Sequence, residues 1–136
     1  MTKRPIKFHM LEQAPKPVAP YSHAVECNGF VFITGQMPNF PEDFERPLPS
    51  GIEAQTHQVM HNLKMVLQNL NIGLKDVVQA RVYLSQFERD YELMNTAYQS
   101  YFAANQRPAR TCVGVTALAL DALIEVDMVA RANYIQ

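Results

Sequence analysis

Arg110, Cys112 and Gly114 recur at every second position in the stretch Arg107-Pro108-Ala109-Arg110-Thr111-Cys112-Val113-Gly114-Val115. Pro108 steers Arg107 away from helix, and the β-branched Thr111, Val113 and Val115 fill the alternate positions, which is the pattern of a strand. Side chains alternate along a strand, so Arg110, Cys112 and Gly114 share one face. That face carries a guanidinium, a small thiol and no side chain at all: a hole with a fixed cation at its mouth. A planar guanidinium holds a carboxylate through two parallel hydrogen bonds, so one reading is a pocket for a small carboxylate. The other is a strand-end ion pair with a nearby acid, the commoner role of a single arginine.

A second set of chemical groups lies near the end of the chain. Leu123 to Ala130 reads as a strand with Ile124, Val126 and Met128 on one face and Glu125 and Asp127 on the other. An acid pair on one strand face ordinarily meets solvent. The connection from Ala117 to Ala122 is short, so the last two strands are expected as hairpin neighbours, which would bring Glu125 near Arg110 or Cys112. A carboxylate there either neutralises the arginine or divides labour with it, one holding substrate and the other handling protons or water. Asn95 sits at the edge of an apolar helical stripe; a buried amide left unbonded costs about 1–3 kcal/mol, so it either ties helix to sheet or reaches a ligand.

His57 and His61 have a zinc-binding spacing, but Gln58 stands where a zinc protease carries its glutamate, and the pair faces away from the apolar stripe. Both are expected in solvent, and no metal or organic cofactor is expected. Cys27 and Cys112 have no Cys-x-x-Cys or Cys/His ligand spacing and are read as free thiols.

The elements that must position these groups are legible in order. Ile6 to Leu11 is a short first strand, and the proline-rich Gln13 to Pro20 is an extended arm that delivers Tyr21-Ser22-His23 to a second strand ending near Cys27. Asn28-Gly29 is a hairpin turn, and Phe30 to Thr34 is its partner strand. Four consecutive apolar residues there ask for burial on both faces. Asn39 to Pro49 is a polar surface loop. Ser50-x-x-Glu53 and Ser85-x-x-Glu88 have the form of capping boxes opening two helices, to about Asn71 and Phe102. Ile52, Val59, Leu63, Val66, Leu67 and Leu70 stripe the first helix; Phe87, Tyr91, Met94, Tyr98, Tyr101 and Phe102 stripe the second. Gly73 is expected to end the first helix, and Val77 to Leu84 is a strand between the two. Two amphipathic helices on one face of a mixed sheet make an α+β layer, with an apolar second face that only association of protomers can cover.

The 136 residues fit one domain, 1–136, and 12 basic against 13 acidic residues without a basic run do not indicate a nucleic-acid surface. Two cysteines and no stretch of roughly 20 apolar residues suggest a reducing, cytosolic setting without a membrane span.

Taken together, Ala19-Pro20-Tyr21-Ser22, Ile33-Thr34-Gly35-Gln36, Met94-Asn95-Thr96-Ala97-Tyr98, Pro108-Ala109-Arg110 and Ile124-Glu125 resemble the RidA family of enamine/imine deaminases over nearly the whole chain. The resemblance implies a chorismate-mutase-like α+β layer assembled as a homotrimer with pockets between subunits. It implies hydrolysis of 2-imino acids such as 2-aminoacrylate and 2-iminopropionate to 2-keto acids and ammonia. By the same carry-over Arg110 binds the substrate carboxylate, the Cys112 carbonyl and Glu125 hold the attacking water, and Tyr21, Thr34, Gly35 and Asn95 line the pocket. Thr34 stands where the better-known deaminases usually have Ser, and Gly114 where many members carry Glu, opening space beside Cys112. A keto-acid-binding module without turnover is the alternative function, and an RNA-cleaving protein the third.

Overall fold

The structure, a computed structural model, describes residues 3–133. Asn28 and Gly29 take left-handed backbone angles, φ 49° and 86°, giving the two-residue turn whose twist matches paired strands. It joins β2 (Ala24–Cys27) to β3 (Phe30–Gln36), and β1 (Lys7–His9) pairs with the other edge of β2. The remaining strands are β4 (Val77–Leu84), β5 (Ala109–Gly114) and β6 (Ile124–Arg131), and the sheet runs β1-β2-β3-β6-β4-β5. Helices α1 (Ile52–Asn69) and α2 (Phe87–Gln99) cover one face. Both apolar stripes are buried there: Val59, Leu63, Val66 and Leu67 of α1 and Met94 and Tyr98 of α2 pack with Val31, Ile33, Val82, Ile124, Val126 and Met128 of the sheet. The expected α+β layer is the observed one.

The last two strands are not hairpin neighbours. β5 runs parallel to β4, as a strand reached through a helical crossover can, and β4 stands between β5 and β6. Neither serine caps a helix. Gly51 (φ 87°) and Gln86 occupy the cap positions without a side-chain bond. Ser85 instead donates its hydroxyl to the Ala122 carbonyl and its N–H to Leu123, closing the sheet end, and Gln55 bridges the Pro49 carbonyl and the Leu123 N–H. Asn71 (φ 60°), not Gly73, ends α1: its N–H reaches Gln68 O and that of Ile72 reaches Leu67 O, the paired bonds of a left-handed helix terminus. α2 stops at Gln99, so Tyr101 and Phe102 pack from the following turn.

The second sheet face has no cover of its own. Phe32 lies opposite Val25, which lies opposite Phe8, so these side chains share that face with Phe30. Phe8, Phe30 and Phe32 are 69%, 47% and 49% exposed.

Candidate active site: a strand edge and a buried acid

β5 is the edge strand, and its backbone decides what that edge can do. The Val115 N–H bonds the Leu84 carbonyl, so by strand alternation Thr111, Val113 and Val115 spend their backbone groups on β4. The N–H and C=O groups of Arg110, Cys112 and Gly114 are left on the free edge.

The side chains of this trio lie on the helix face. The Arg110 guanidinium sits 5.0 Å from the centre of the Tyr98 ring and 6.0 Å from that of Tyr91. Its Nη2 is 3.5 Å from the Tyr91 hydroxyl and its Nη1 4.0 Å from the Met94 sulfur. Arg110 forms no ion pair among the described residues, which removes the strand-end ion-pair reading. It is half-buried, held by polarisable and π surfaces through long bonds from both terminal nitrogens, with no carboxylate on its fork among the described residues. Tyr91, Met94 and Tyr98 read in the sequence only as core stripe; they also cradle the cation. The Tyr98 hydroxyl is buried with no hydrogen-bond partner among the described residues, and burial raises its pKa against the opposing pull of Arg110.

Gly114 is exposed and lines a cleft of about 660 Å³ with Gln86, Phe87 and Val115, but its Cβ direction points at α2. A Cβ there would lie 3.0 Å from the Phe87 Cβ, and the Phe87 ring stacks on Tyr91 at 4.8 Å. Phe87 of α2 thus forms one wall of the space beside Gly114. Cys112 packs half-buried beside Arg110, and burial raises its thiol pKa while Arg110 pulls it down. At neutral pH the group is a thiol, so the edge carbonyl is the chemically available part of Cys112.

Glu125 lies on the opposite, helix-free face. It stands across from Tyr83, and its carboxylate lies directly over Gly35, where a Cβ would come within 2.6 Å of Oε2. Gly35 falls in the register shift of β3 between Ile33 and Gln36. Burial, then the charge of Asp127, raises the Glu125 pKa. Asp127 is itself engaged by Arg81 at 2.8 and 3.0 Å and by the Tyr83 hydroxyl at 3.0 Å.

The predicted residues therefore form separate groups within one protomer. Arg110 and Cys112 meet on the β5 edge, Glu125 and Gly35 meet on the open face, and Thr34 continues the alternation of Phe30 and Phe32 on that face. Asn95 is half-buried on α2 with no side-chain hydrogen bond among the described residues, so it is not the helix-to-sheet tie. Tyr21 precedes β2, four strand spacings from β5, about 19 Å at the usual separation. Its hydroxyl accepts from the Val18 N–H at 3.1 Å. An open cleft of about 1420 Å³ lies where β4 and β5 begin and is lined by none of these residues.

His57 does more than meet solvent: its Nδ1 is 2.7 Å from the Tyr101 hydroxyl, joining α1 to the turn after α2. Among the described residues no group of three or more His, Cys, Asp or Glu could hold a metal, and no helix is long and apolar enough to cross a membrane.

Residues 11–132 match the family model described as endoribonuclease L-PSP. A RutC family protein of Pyrococcus abyssi is 40% identical over 119 residues, 88% of this chain and 91% of its own length. The crystal structure of YyfA from Yersinia pestis, a protein of the conserved Rid family, superposes with a TM-score of 0.85 at 29% identity, covering 94% of this chain and all of that one. Escherichia coli TdcF, solved with bound serine, gives 0.83 at 25% identity, covering 93% and 99%.

Proposed function

Because this chain belongs to the endoribonuclease L-PSP family, to which the Rid proteins belong, we propose that it hydrolyses 2-imino acids of the 2-aminoacrylate and 2-iminopropionate type to 2-keto acids and ammonia. The observation that carries this reading is Arg110, a half-buried guanidinium with no acid partner among the described residues, whose terminal nitrogens make only long bonds to Tyr91 and Met94. Serine bound to TdcF, a small molecule with a carboxylate and an amine on one carbon, supports the ligand class.

In this reading Arg110 takes the substrate carboxylate and thereby places C2 against the β5 edge. The Cys112 carbonyl accepts a hydrogen bond from the attacking water, and Glu125 takes its proton as the oxygen bonds to C2. The C=N electron pair moves to nitrogen. The tetrahedral adduct then collapses: Glu125 returns the proton to nitrogen, the hydroxyl oxygen forms the C=O as its own proton passes back to Glu125, and the C–N bond breaks with its electron pair leaving on ammonia. An iminium carbon is already electrophilic, so positioning and this proton transfer are sufficient drivers.

Arg110 and Glu125 lie on different sheet faces, and Tyr21 lies on the far side of the sheet from Arg110. The proposed pocket is accordingly an interface between copies in a homotrimer, lined by Tyr21, Thr34, Gly35 and Asn95, with the apolar face of Phe8, Phe30 and Phe32 buried in assembly. Binding without turnover is the second reading, favoured by one observation: serine has no C=N bond to hydrolyse.

Turnover on freshly generated 2-imino acids, following ammonia and keto acid together, tests both. The parent is expected to release the two products in equal amounts. Arg110→Lys, which keeps charge but loses the fork, is expected to lower kcat/KM on the order of a hundredfold without unfolding. An Arg110→Lys protein with parental turnover removes the clamp. A parent that binds keto acid yet turns over no imino acid establishes the binding reading instead.

A further inference from the structure

We infer that His23 is a positioning residue for the candidate pocket: its ring bolts the start and the middle of the proline-rich arm in place and so fixes where Tyr21 stands, a role that rests on the reading of Tyr21 as a wall of that pocket. The arm from Leu11 to Ser22 contains Pro15, Pro17 and Pro20, none of which has an N–H to give to a sheet. Its own bonds are local: Ala14 N–H to Leu11 O at 3.4 Å, Tyr21 N–H to Ala19 O at 2.9 Å and Val18 N–H to the Tyr21 hydroxyl at 3.1 Å. Among the described residues, the hydrogen bonds that tie residues 11–21 to the rest of the chain both end on one imidazole.

The Leu11 N–H donates to His23 Nδ1 at 2.8 Å, and His23 Nε2 donates to the Pro15 carbonyl at 2.7 Å. An amide N–H only donates and a carbonyl only accepts, so the pair of contacts selects the neutral tautomer carrying its proton on Nε2. His23 is 3% exposed. Its backbone is equally engaged: His23 N–H bonds His9 O at 3.0 Å, and His23 O accepts from the Thr34 N–H at 3.1 Å. One residue thus joins the end of β1, the arm, and β3 at Thr34, a second proposed pocket residue.

Tyr21 lies inside the loop that the Pro15 bond closes. Without that bond the segment keeps the buried Ala14 and Pro15 as packing anchors but loses its directional ties, and Tyr21 samples many positions. Ordering the arm then falls to the substrate, and the loss is expected in KM rather than kcat.

The experiment compares parent, His23→Ala and His23→Gln; a glutamine amide offers one acceptor and one donor, as this tautomer does. His23→Ala is expected to raise KM for the imino acid roughly tenfold or more while kcat changes less than about threefold, and His23→Gln to restore most of the difference. Amide exchange at Leu11, whose N–H is held by the ring alone, should quicken at least about tenfold in His23→Ala and recover in His23→Gln. Parental KM in a folded His23→Ala protein, or a glutamine variant no better than alanine, overturns the role. The ring-nitrogen spectrum of the parent needs no variant: a proton on Nδ1, or on both nitrogens at neutral pH, overturns the clamp even where His23→Ala fails to fold. Should the parent turn over no imino acid, the function fails separately. Leu11 exchange and the affinity for serine across the same three proteins then decide the clamp alone.

Discussion

Glu125 shows how strongly a side chain's chemistry depends on the neighbours that decline to bond it. Asp127, two residues on, takes both the Arg81 fork and the Tyr83 hydroxyl, so the nearest donor on the sheet face is spent. Burial and the remaining charge of Asp127 then favour the neutral acid, and the base form of Glu125 appears only as pH rises through a value above that of an ordinary glutamate. Activity should fall as pH drops through that raised value. The acid limb of kcat against pH is expected above the usual glutamate range, and Asp127→Asn, which removes a negative charge, is expected to move it to lower pH. A limb unmoved by Asp127→Asn would take Glu125 out of the proton transfer. Gly35 offers an independent handle, because its backbone is not left-handed and space alone objects to a side chain. In Gly35→Ala the new methyl meets the movable end of Glu125, which can swing aside. The expected result is near-parental thermal unfolding with kcat lowered about tenfold or more.

At the scale of elements, α1 supports the bulged end of β3 through a residue inside its own apolar stripe. Asn62 is fully buried, donates to the Met37 carbonyl at 2.9 Å and the Asn39 carbonyl at 2.8 Å, and accepts from Gln58 at 3.0 Å. Asn62→Ala strands two buried carbonyls and should destabilise by about 2 kcal/mol or more in urea unfolding, against well under 1 kcal/mol for an exposed polar site such as Asn69. A polar residue three after Val59 and four before Val66 was a readable signal of this anchor. β4 was legible to its ends because Val and Tyr bounded by a glycine turn and a helix leave little choice, and the Asn28-Gly29 hairpin because only the left-handed turn suits those two residues. The order of strands was not legible. That β4 lies between β5 and β6 follows from which edges pair after α2 crosses over, and local pattern carries no trace of it. The same limit hid the seat of Glu125 on Gly35, far apart in sequence, and the cation cradle of Tyr91 and Tyr98, since an aromatic stripe looks alike whether it only fills a core or also holds an arginine.

For the whole molecule, the decisive feature is a sheet with helices on one face and phenylalanines on the other. Each large aromatic side chain moved from water into a packed interface contributes about 1.5–3 kcal/mol, so Phe8, Phe30 and Phe32, all exposed, favour association over a free monomer. In the proposed pocket, which takes Tyr21 and Arg110 together, their separation across the sheet would make function depend on the same association. Phe32 lies opposite both Val25 and Val129, near the middle of this face, and a carboxylate there would be buried unpaired by any partner. Phe32→Glu is expected to sediment as a monomer at micromolar concentration while the parent sediments as a trimer. Its far-UV circular dichroism should stay parental, because Phe32 takes no part in the helix-side core. If the pocket lies between copies, imine hydrolysis should disappear with the trimer and return in part at protein concentrations that force association. A monomeric Phe32→Glu protein with full turnover would place the site within one protomer, and would require Arg110 and Glu125 to act from opposite faces of a single sheet.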